Sequence, residues 1–282
     1  MSELTMRDTT ATLATARLKA QPRRGTPPWL RWGAWGPTLI TFVIAALLWQ
    51  IVAWTNPYVL PTLEAIGGSL VDDAGMYWSN FLVTLLEVVV GASAGILAGF
   101  LLAVVMAEFQ IIERAVMPLV IIVMVTPIVA IAPALVVAFG FGMVPKFIVT
   151  GLVVFFPMLV NSLAGLRDVD QKALDVFKTL HASRWEIFRE LRFPGSMPYV
   201  FAGLRIALPL AVVGAAVAEF VAAGQQAGLG SLVTTSAAQA NLPVTWASIA
   251  LLCLLGVLLI IVLALVRKRV LWWSDGEVTA KG

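Results

Sequence analysis

Six long apolar stretches limit what this chain can fold into. A helix that crosses a bilayer needs about 20 mostly apolar residues, and such stretches run at about 37–54, 81–107, 115–139, 147–166, 198–222 and 244–266. Of the 282 residues, 60% are hydrophobic and only 12% charged. A soluble domain carries roughly twice that charged share. The fold class expected is therefore an all-α integral membrane protein, a six-helix transmembrane bundle in one domain.

The placement of charge orients the bundle. Six spans put both termini on one side, and that side then holds the basic residues of the N-terminal tail, Arg114, the charged stretch 167–194 and the C-terminal cluster Arg267, Lys268 and Arg269. Of the 19 Lys and Arg residues, only Lys146 falls in an outer turn. The excess of cationic residues in cytoplasmic loops predicts cytoplasmic termini. Residues 1–36 are expected to be a polar cytoplasmic tail without a cleavable signal, ending in an interfacial elbow (WLRWGAW, 29–35). Residues 37–269 are the transmembrane domain and 270–282 a second tail, with Trp272 and Trp273 as interface anchors.

Within the spans, several residues suggest packing or a path. Gly91, Gly95 and Gly99, followed by Ala103 and Ala107, recur every four residues and predict close approach to an unspecified helix. Gly203, Ala207, Ala211 and Ala215 keep the same step, but at 100° per residue the ladder drifts about 40° each time and is expected to wind around its helix. The third stretch contains Pro118, Pro127 and Pro133, each of which removes a backbone donor. Its segment 126–133 (TPIVAIAP) reads either as an ordinary kink or as a pore-lining break whose freed groups are satisfied by protein or a water-filled cavity. Thr126, Pro127 and Pro133 are thus candidate path residues. Residues 139–146 (FGFGMVPK) read as an outer turn, and 62–70 as a short helix at the outer surface.

Glu87 and Glu219 are the acids inside the spans, and buried charge in hydrocarbon is costly enough to suggest function. Glu219 lies beside the Gly-rich segment 224–230 and reads as a gate or docking residue. Glu87 is expected to pair with a backbone group or a basic side chain near the interface.

The stretch 167–194 (RDVDQKALDVFKTLHASRWEIFRELRFP) differs from the rest in being long, charged and helix-competent. Ala173, Val176, Phe177 and Leu180 recur at three- and four-residue spacing, which predicts a helix over about 171–180 capped by Asp168 or Asp170. Ser183 followed by Glu186 has the spacing of a capping box and opens a second helix with Trp185, Phe188 and Leu191 on one side, expected to end at Pro194. A bend near His181 and Ala182 joins them.

This stretch resembles the EAA motif of permeases of binding-protein-dependent ABC importers: Glu-Ala-Ala, three residues, Gly, nine residues, Ile, one residue, Leu-Pro. Asp175, Val176 and Phe177 stand at its first three positions, His181 at the Gly, and Leu191 to Pro194 at its end. The wider resemblance, from about Tyr58 to Trp273, includes LPTLEAI, TLLEVVVG, TPIVAIAP, FFPMLVNSLAGLRDVD and AEFVAAGQQAGLG. It is similar to the branch serving sulfonate, taurine, nitrate and pyrimidine or riboflavin import, with TLLEV leaning toward the last two. The resemblance implies a homodimer in the bacterial inner membrane, an ATPase subunit bound to each copy, and an outer solute-binding protein that delivers a small polar solute. It implies that the first helix of the motif is a coupling helix docked in the ATPase, and that 183–194 brace it. Asp175, Val176, Phe177, Lys178, His181, Arg184, Trp185, Leu191 and Pro194 are the coupling candidates carried over.

The chain contains no Gly-x-x-x-x-Gly-Lys-Ser/Thr phosphate loop, so ATP is expected to be bound and hydrolysed by a partner. One His, one Cys and two scattered acids within the spans offer no catalytic or metal constellation, and no cofactor is expected. Cys253, alone, can form no intrachain disulfide. A secondary transporter or channel driven by an ion gradient is the alternative; it would call for acid or His relays that two acids do not supply.

Overall fold

A computed structural model describes residues 32–221 and 227–272, with side chains from residue 36. The backbone of these residues is helical with short connections. The chain divides into two units at Leu60 and Pro61. The first contains α1 (Trp32–Thr55), with Pro37 in its opening turns and Thr41 Oγ1 donating to the Pro37 carbonyl at 2.9 Å. Its apolar side chains, such as Phe42, Leu47 and Ile51, are exposed, as suits a helix in lipid.

The second unit is the bundle. It runs through α2 (Leu63–Asp72), α3 (Ala74–Glu108), α4 (Gln110–Val125), α5 (Ile128–Phe139), α6 (Met143–Arg167), α7 (Gln171–Thr179), α8 (Arg184–Ile187), α9 (Phe193–Val221), α10 (Leu229–Ala238) and α11 (Leu242–Val270). With α1, five of the helices are long and apolar enough to cross a membrane; α4 and α5 form a sixth candidate bent by 97°.

Helix α6 is the centre, held between α3 and α9. Half of its apolar window is buried, against 11% for α11 on the periphery. Val154 and Met158 of α6 meet Val88 and Ala92 of α3, Ala207 and Ala211 of α9, and Leu255 of α11 in one core cluster. A second joins Leu159, Leu163 and Leu166 to Ala103 and Met106 of α3.

The glycine ladder of α3 finds its partner in α6. A Cβ on Gly95 would lie 2.9 Å from the Gly151 carbonyl carbon, one on Gly91 2.6 Å from Thr150 Cβ, and one on Gly99 2.7 Å from the Phe155 carbonyl oxygen. Such contact distances are possible only without side chains, and the backbones gain dispersion contact in exchange.

The ladder of α9 is covered along its whole sweep. Gly203, Ala207, Ala211 and Ala215 are all buried. Three 40° steps sweep about 120°, yet the sweep stays covered because α9 packs against α6, α3 and α11 together.

One open alternative is decided and two expectations are corrected. In the stretch 115–139 the structure has a break rather than an ordinary kink: Thr126 (ψ 127) and Pro127 (ψ 118) are both extended, so the helix stops and restarts. The residue before a proline is pushed out of the helical region, and Thr126 Oγ1 takes up the Ile122 carbonyl freed by the break at 2.9 Å. Pro194 does not end the second amphipathic helix. A π-helical turn, Phe188–Arg192, carries the chain directly into α9; its wider spacing accommodates a proline with no N–H near the start of the helix that follows. Finally, Lys146 is not in an outer turn. The turn ends at Gly142, and Lys146 lies in the first turn of α6, 1% exposed.

Candidate translocation cavity and coupling hairpin

The break between α4 and α5 opens a cavity of about 560 Å³. Thr126 and Pro127 stand at the break, with Phe156, Pro157 and Asn161 on α6 and Ile206 on α9. Its walls are mostly apolar. Thr126 and Asn161 supply the polar side chains, and no charged residue lines it among the described residues. Asn161 Nδ2 donates to the Pro157 carbonyl at 2.8 Å, which fixes the amide against its own helix.

Near the N-terminus of α10, three helices contribute a buried polar cluster. Glu219 of α9 accepts from Thr84 Oγ1 of α3 at 2.7 Å, from the Gly230 N–H, and from the Ser231 N–H at 3.3 Å. Thr84 Oγ1 in turn accepts from the Leu229 N–H at 2.8 Å, and Asn80 Oδ1 from the Gly228 N–H at 2.7 Å. The amides of 228–231, which a helix start leaves without intrahelical partners, are thus bonded by side chains of α3 and α9. A carboxylate is also favoured at this end of the helix dipole. Glycine is required here: a Cβ on Gly230 would sit 2.7 Å from Glu219 Oε2 and 2.8 Å from the Ala216 carbonyl oxygen. Beside it, Lys146 Nζ donates to Glu87 Oε1 at 2.7 Å and to the Ala227 carbonyl at 3.3 Å. Glu87 and Glu219 are both 0% exposed.

At the opposite end of α6, α7 and α8 form a hairpin. Asp170 caps α7 by accepting from the Lys172 N–H at 3.0 Å. The Ser183–Glu186 capping box is complete in both directions. Between them His181 adopts φ 56°, a left-handed conformation that lets the chain reverse after a helix and is most easily taken by glycine. At its base the hairpin is tied to the bundle by Arg192 to Glu108 at 2.8 Å and by Tyr199 donating to Asp168, and Arg167 of α6 pairs with Glu113 of α4 nearby. Phe188 packs on the cluster around Leu163 and Leu166, and Trp185 stacks on Phe188 at 5.6 Å.

The apolar stripe of α7 is divided. Ala173, Leu174 and Phe177 are half-buried, whereas Val176 is 56% and Leu180 73% exposed, with Trp185 at 66%. An amphipathic hairpin fixed to a membrane bundle thus presents three large apolar side chains away from it.

The family described as binding-protein-dependent transport system inner membrane component matches residues 95–272, a range that includes α6, the hairpin, α9 and α11. The chain belongs to this family. It is the multi-pass, inner-membrane permease component of an ABC importer, a non-catalytic subunit that works with an ATPase and a solute-binding protein. A formylaminopyrimidine transport permease protein of Halalkalibacterium halodurans is 35% identical over 79% of this chain and 89% of its own. A riboflavin transport system permease protein of Chloroflexus aurantiacus is 26% identical over 83% of this chain and 89% of its own. A taurine transport system permease protein of Escherichia coli is 26% identical over 84% of this chain.

In the permease, the path candidates separate. Thr126 and Pro127 line the cavity; Pro133 is exposed on α5 away from it, and Glu219 is sealed in the polar cluster. Asp175 and Lys178 pair with each other at 3.3 Å on the hairpin surface, where Arg184 and His181 are also exposed. Leu191 and Pro194 are half-buried at its base. Sequence reasoning missed Asn80, Thr84 and Asn161, polar residues inside apolar helices, which is the signal that could have found them. Residues 222–226, which include the first three of the Gly-rich segment, lie outside the described residues.

Proposed function

We propose that this permease works as a homodimer, with the termini and the hairpin of α7 and α8 in the cytoplasm and the polar cluster around Glu219 at the outer end. The segment before α1 and the segment after α11 are then cytoplasmic and flank a transmembrane domain that runs from α1 to α11. The single observation that carries the coupling role is the exposed apolar set Val176, Leu180 and Trp185 on a hairpin that is itself ion-paired to the bundle. This set docks in the ATPase, with Asp175, Lys178, His181 and Arg184 around it. Phe177, Leu191 and Pro194 brace it from behind. ATP bound by the ATPase draws the two hairpins together, and the helices they are attached to switch the bundle between inward- and outward-open states.

The solute crosses beside the α4–α5 break, where Thr126 and Pro127 interrupt the helix. With Thr126 and Asn161 as its polar lining, this cavity favours an uncharged heterocyclic solute of the pyrimidine or riboflavin kind. A sulfonate or nitrate would lack a cation to meet it.

Two experiments test this function. Proteoliposomes holding the permease, its ATPase and its binding protein should take up formylaminopyrimidine or riboflavin, but not taurine, when ATP is present. Uptake by the permease alone without ATP would overturn the importer assignment. For docking, Val176→Asp and Leu180→Asp place a charge on the exposed apolar set. The ATPase should fail to co-purify while the permease keeps its melting temperature. Normal stoichiometry in both variants would remove the hairpin from the coupling role.

A further inference from the structure

Two arginines hold the joint between α3 and α4, and neither the path nor the docking surface uses them. Helix α3 ends at Glu108, Phe109 is extended (φ −120°, ψ 94°), and α4 starts at Gln110. Arg192 of the π-helical turn donates to Glu108 at 2.8 Å. Arg167, the last residue of α6, donates to both carboxylate oxygens of Glu113 in the first turn of α4. The hairpin enters at Arg167 and leaves at Arg192, so both its ends grip this joint. Glu113 at a helix start and Arg167 at a helix end suit the helix dipoles, whereas Glu108 stands at the negative end of its own helix and is unfavourable there without a cation. Arg192 supplies it.

Apolar contacts repeat the connection. Phe193, just after the π-helical turn, meets Phe100 of α3 edge to face at 6.1 Å. Phe188, at the start of that turn, packs on the same core cluster as Val104 and Ala107 of α3 and Ile112 and Val116 of α4. The turn runs without a break into α9, and π-helical turns inside longer helices often mark functional positions. A displacement of the hairpin therefore reaches the joint directly.

Helix α4 leads from the joint to the cavity. Its 16 residues span about 24 Å, and only Val120 among them is buried. Its last residues, Val123, Met124 and Val125, line the cavity beside the break at Thr126. A rigid helix that is held at one end and packed lightly along its length carries a tilt at that end to the other. Water reaches both ion pairs: Arg192 and Glu108 are each 26% exposed, and Arg167 and Glu113 41% and 18%. Unlike the sealed Lys146–Glu87 pair, they can break and reform without stranding a charge in a dry interior.

We propose that Glu108 and Glu113 are positioning residues that carry the motion of the hairpin into α4 and so open and close the cavity beside Thr126. Arg192 moves the joint from one end of the hairpin and Arg167 from the other, and α4 pivots at Phe109. This role rests on the docking of the hairpin and on the path at the α4–α5 break argued above.

The test uses the full-length permease in lipid nanodiscs with its ATPase. Cys253 is the only cysteine, so Cys253→Ser/Met124→Cys places a single thiol on the cavity wall, and a membrane-impermeant maleimide reports its exposure. A non-hydrolysable ATP analogue should change the labelling rate by about 5–150-fold, the usual range of coupling between two sites. With Glu108→Gln/Glu113→Gln added, the ATPase should co-purify and hydrolyse ATP as with the parent, while labelling no longer responds. Glu108→Arg/Arg192→Glu rebuilds the ion pair with its ends exchanged and should recover the response; Arg192→Glu alone should not, which separates transmission from folding. A double Gln variant that responds like the parent would overturn the proposal. So would an exchanged pair as unresponsive as Arg192→Glu alone. Loss of the ATPase from the Gln variant would overturn it too, since the pairs would then only hold the hairpin in shape. A parent that binds an active ATPase while its Met124→Cys thiol never responds refutes the lever and leaves the docking intact. An ATPase that binds Val176→Asp and Leu180→Asp normally refutes the docking instead.

Discussion

Replacing Lys146 with methionine is the most direct probe of the polar cluster. The Lys146–Glu87 pair is 1% and 0% exposed, and its amine is 2.7 Å from Glu87 Oε1. Glu87 Oε2 has no hydrogen-bond partner among the described residues. Lys146→Met therefore leaves a sealed carboxylate with nothing to meet its charge. Breaking one side of a buried ion pair costs about 3–5 kcal/mol. At about 2–4 °C per kcal/mol, the melting temperature should drop by roughly 6–20 °C. The double variant Glu87→Leu/Lys146→Met replaces both charges with hydrocarbon, a change that is often neutral or stabilising, and should return to within about 1 kcal/mol of the parent. Tryptophan-fluorescence melting of the detergent-purified permease measures all four corners of the cycle. A Lys146→Met protein that melts with the parent would refute the reasoning. A double variant no more stable than the single one would refute it equally.

Two further outcomes follow from backbone geometry. Gly95→Ala drives a methyl group into the Gly151 backbone and should cost about 1–3 kcal/mol; Gly256→Ala on α11, where nothing lies within 4 Å, should cost nothing or gain slightly. Equal melting temperatures for the two would deny that α3 and α6 meet through their glycines. His181→Gly relieves a non-glycine residue at φ 56° and should stabilise the hairpin by up to about 1 kcal/mol, seen as slower amide exchange at Ala182 and Ser183. Faster exchange would mean that the histidine side chain, not its backbone, sets the bend.

The hairpin was legible because its signals are local. Asp170 and the Ser183–Glu186 box act within three residues of themselves, so spacing alone located both helix starts. The bend at His181 followed from the same caps, although not its left-handed backbone. The apolar spans were legible for a similar reason, since lipid requires each segment to bond its own backbone. The Lys146–Glu87 pair was half legible: Glu87 called for a backbone group or a basic side chain as its partner, but Lys146 looked like a turn residue. The turn that displaced it is set by Gly140, at φ 77°, and by a helix start one turn earlier than the apolar run suggested.

Local composition by itself thus determined the class of the protein, where its membrane helices lie, and the two capped helices between the fourth and fifth spans. Tertiary structure alone decided what those helices meet. Glu219 is bonded to Thr84 across 135 residues and Arg192 to Glu108 across 84. Helical spacing places a side chain on a face, but lipid is as apolar as the residues it covers, so no hydrophobic gradient tells one apolar face from another. Rotation and crossing of the helices settle that, and they depend on all the glycines, prolines and buried charges together. The same holds for Pro118, Pro127 and Pro133. Each could have broken the third span, and only at Pro127 did the chain turn through 97° to open a cavity against α6 and α9.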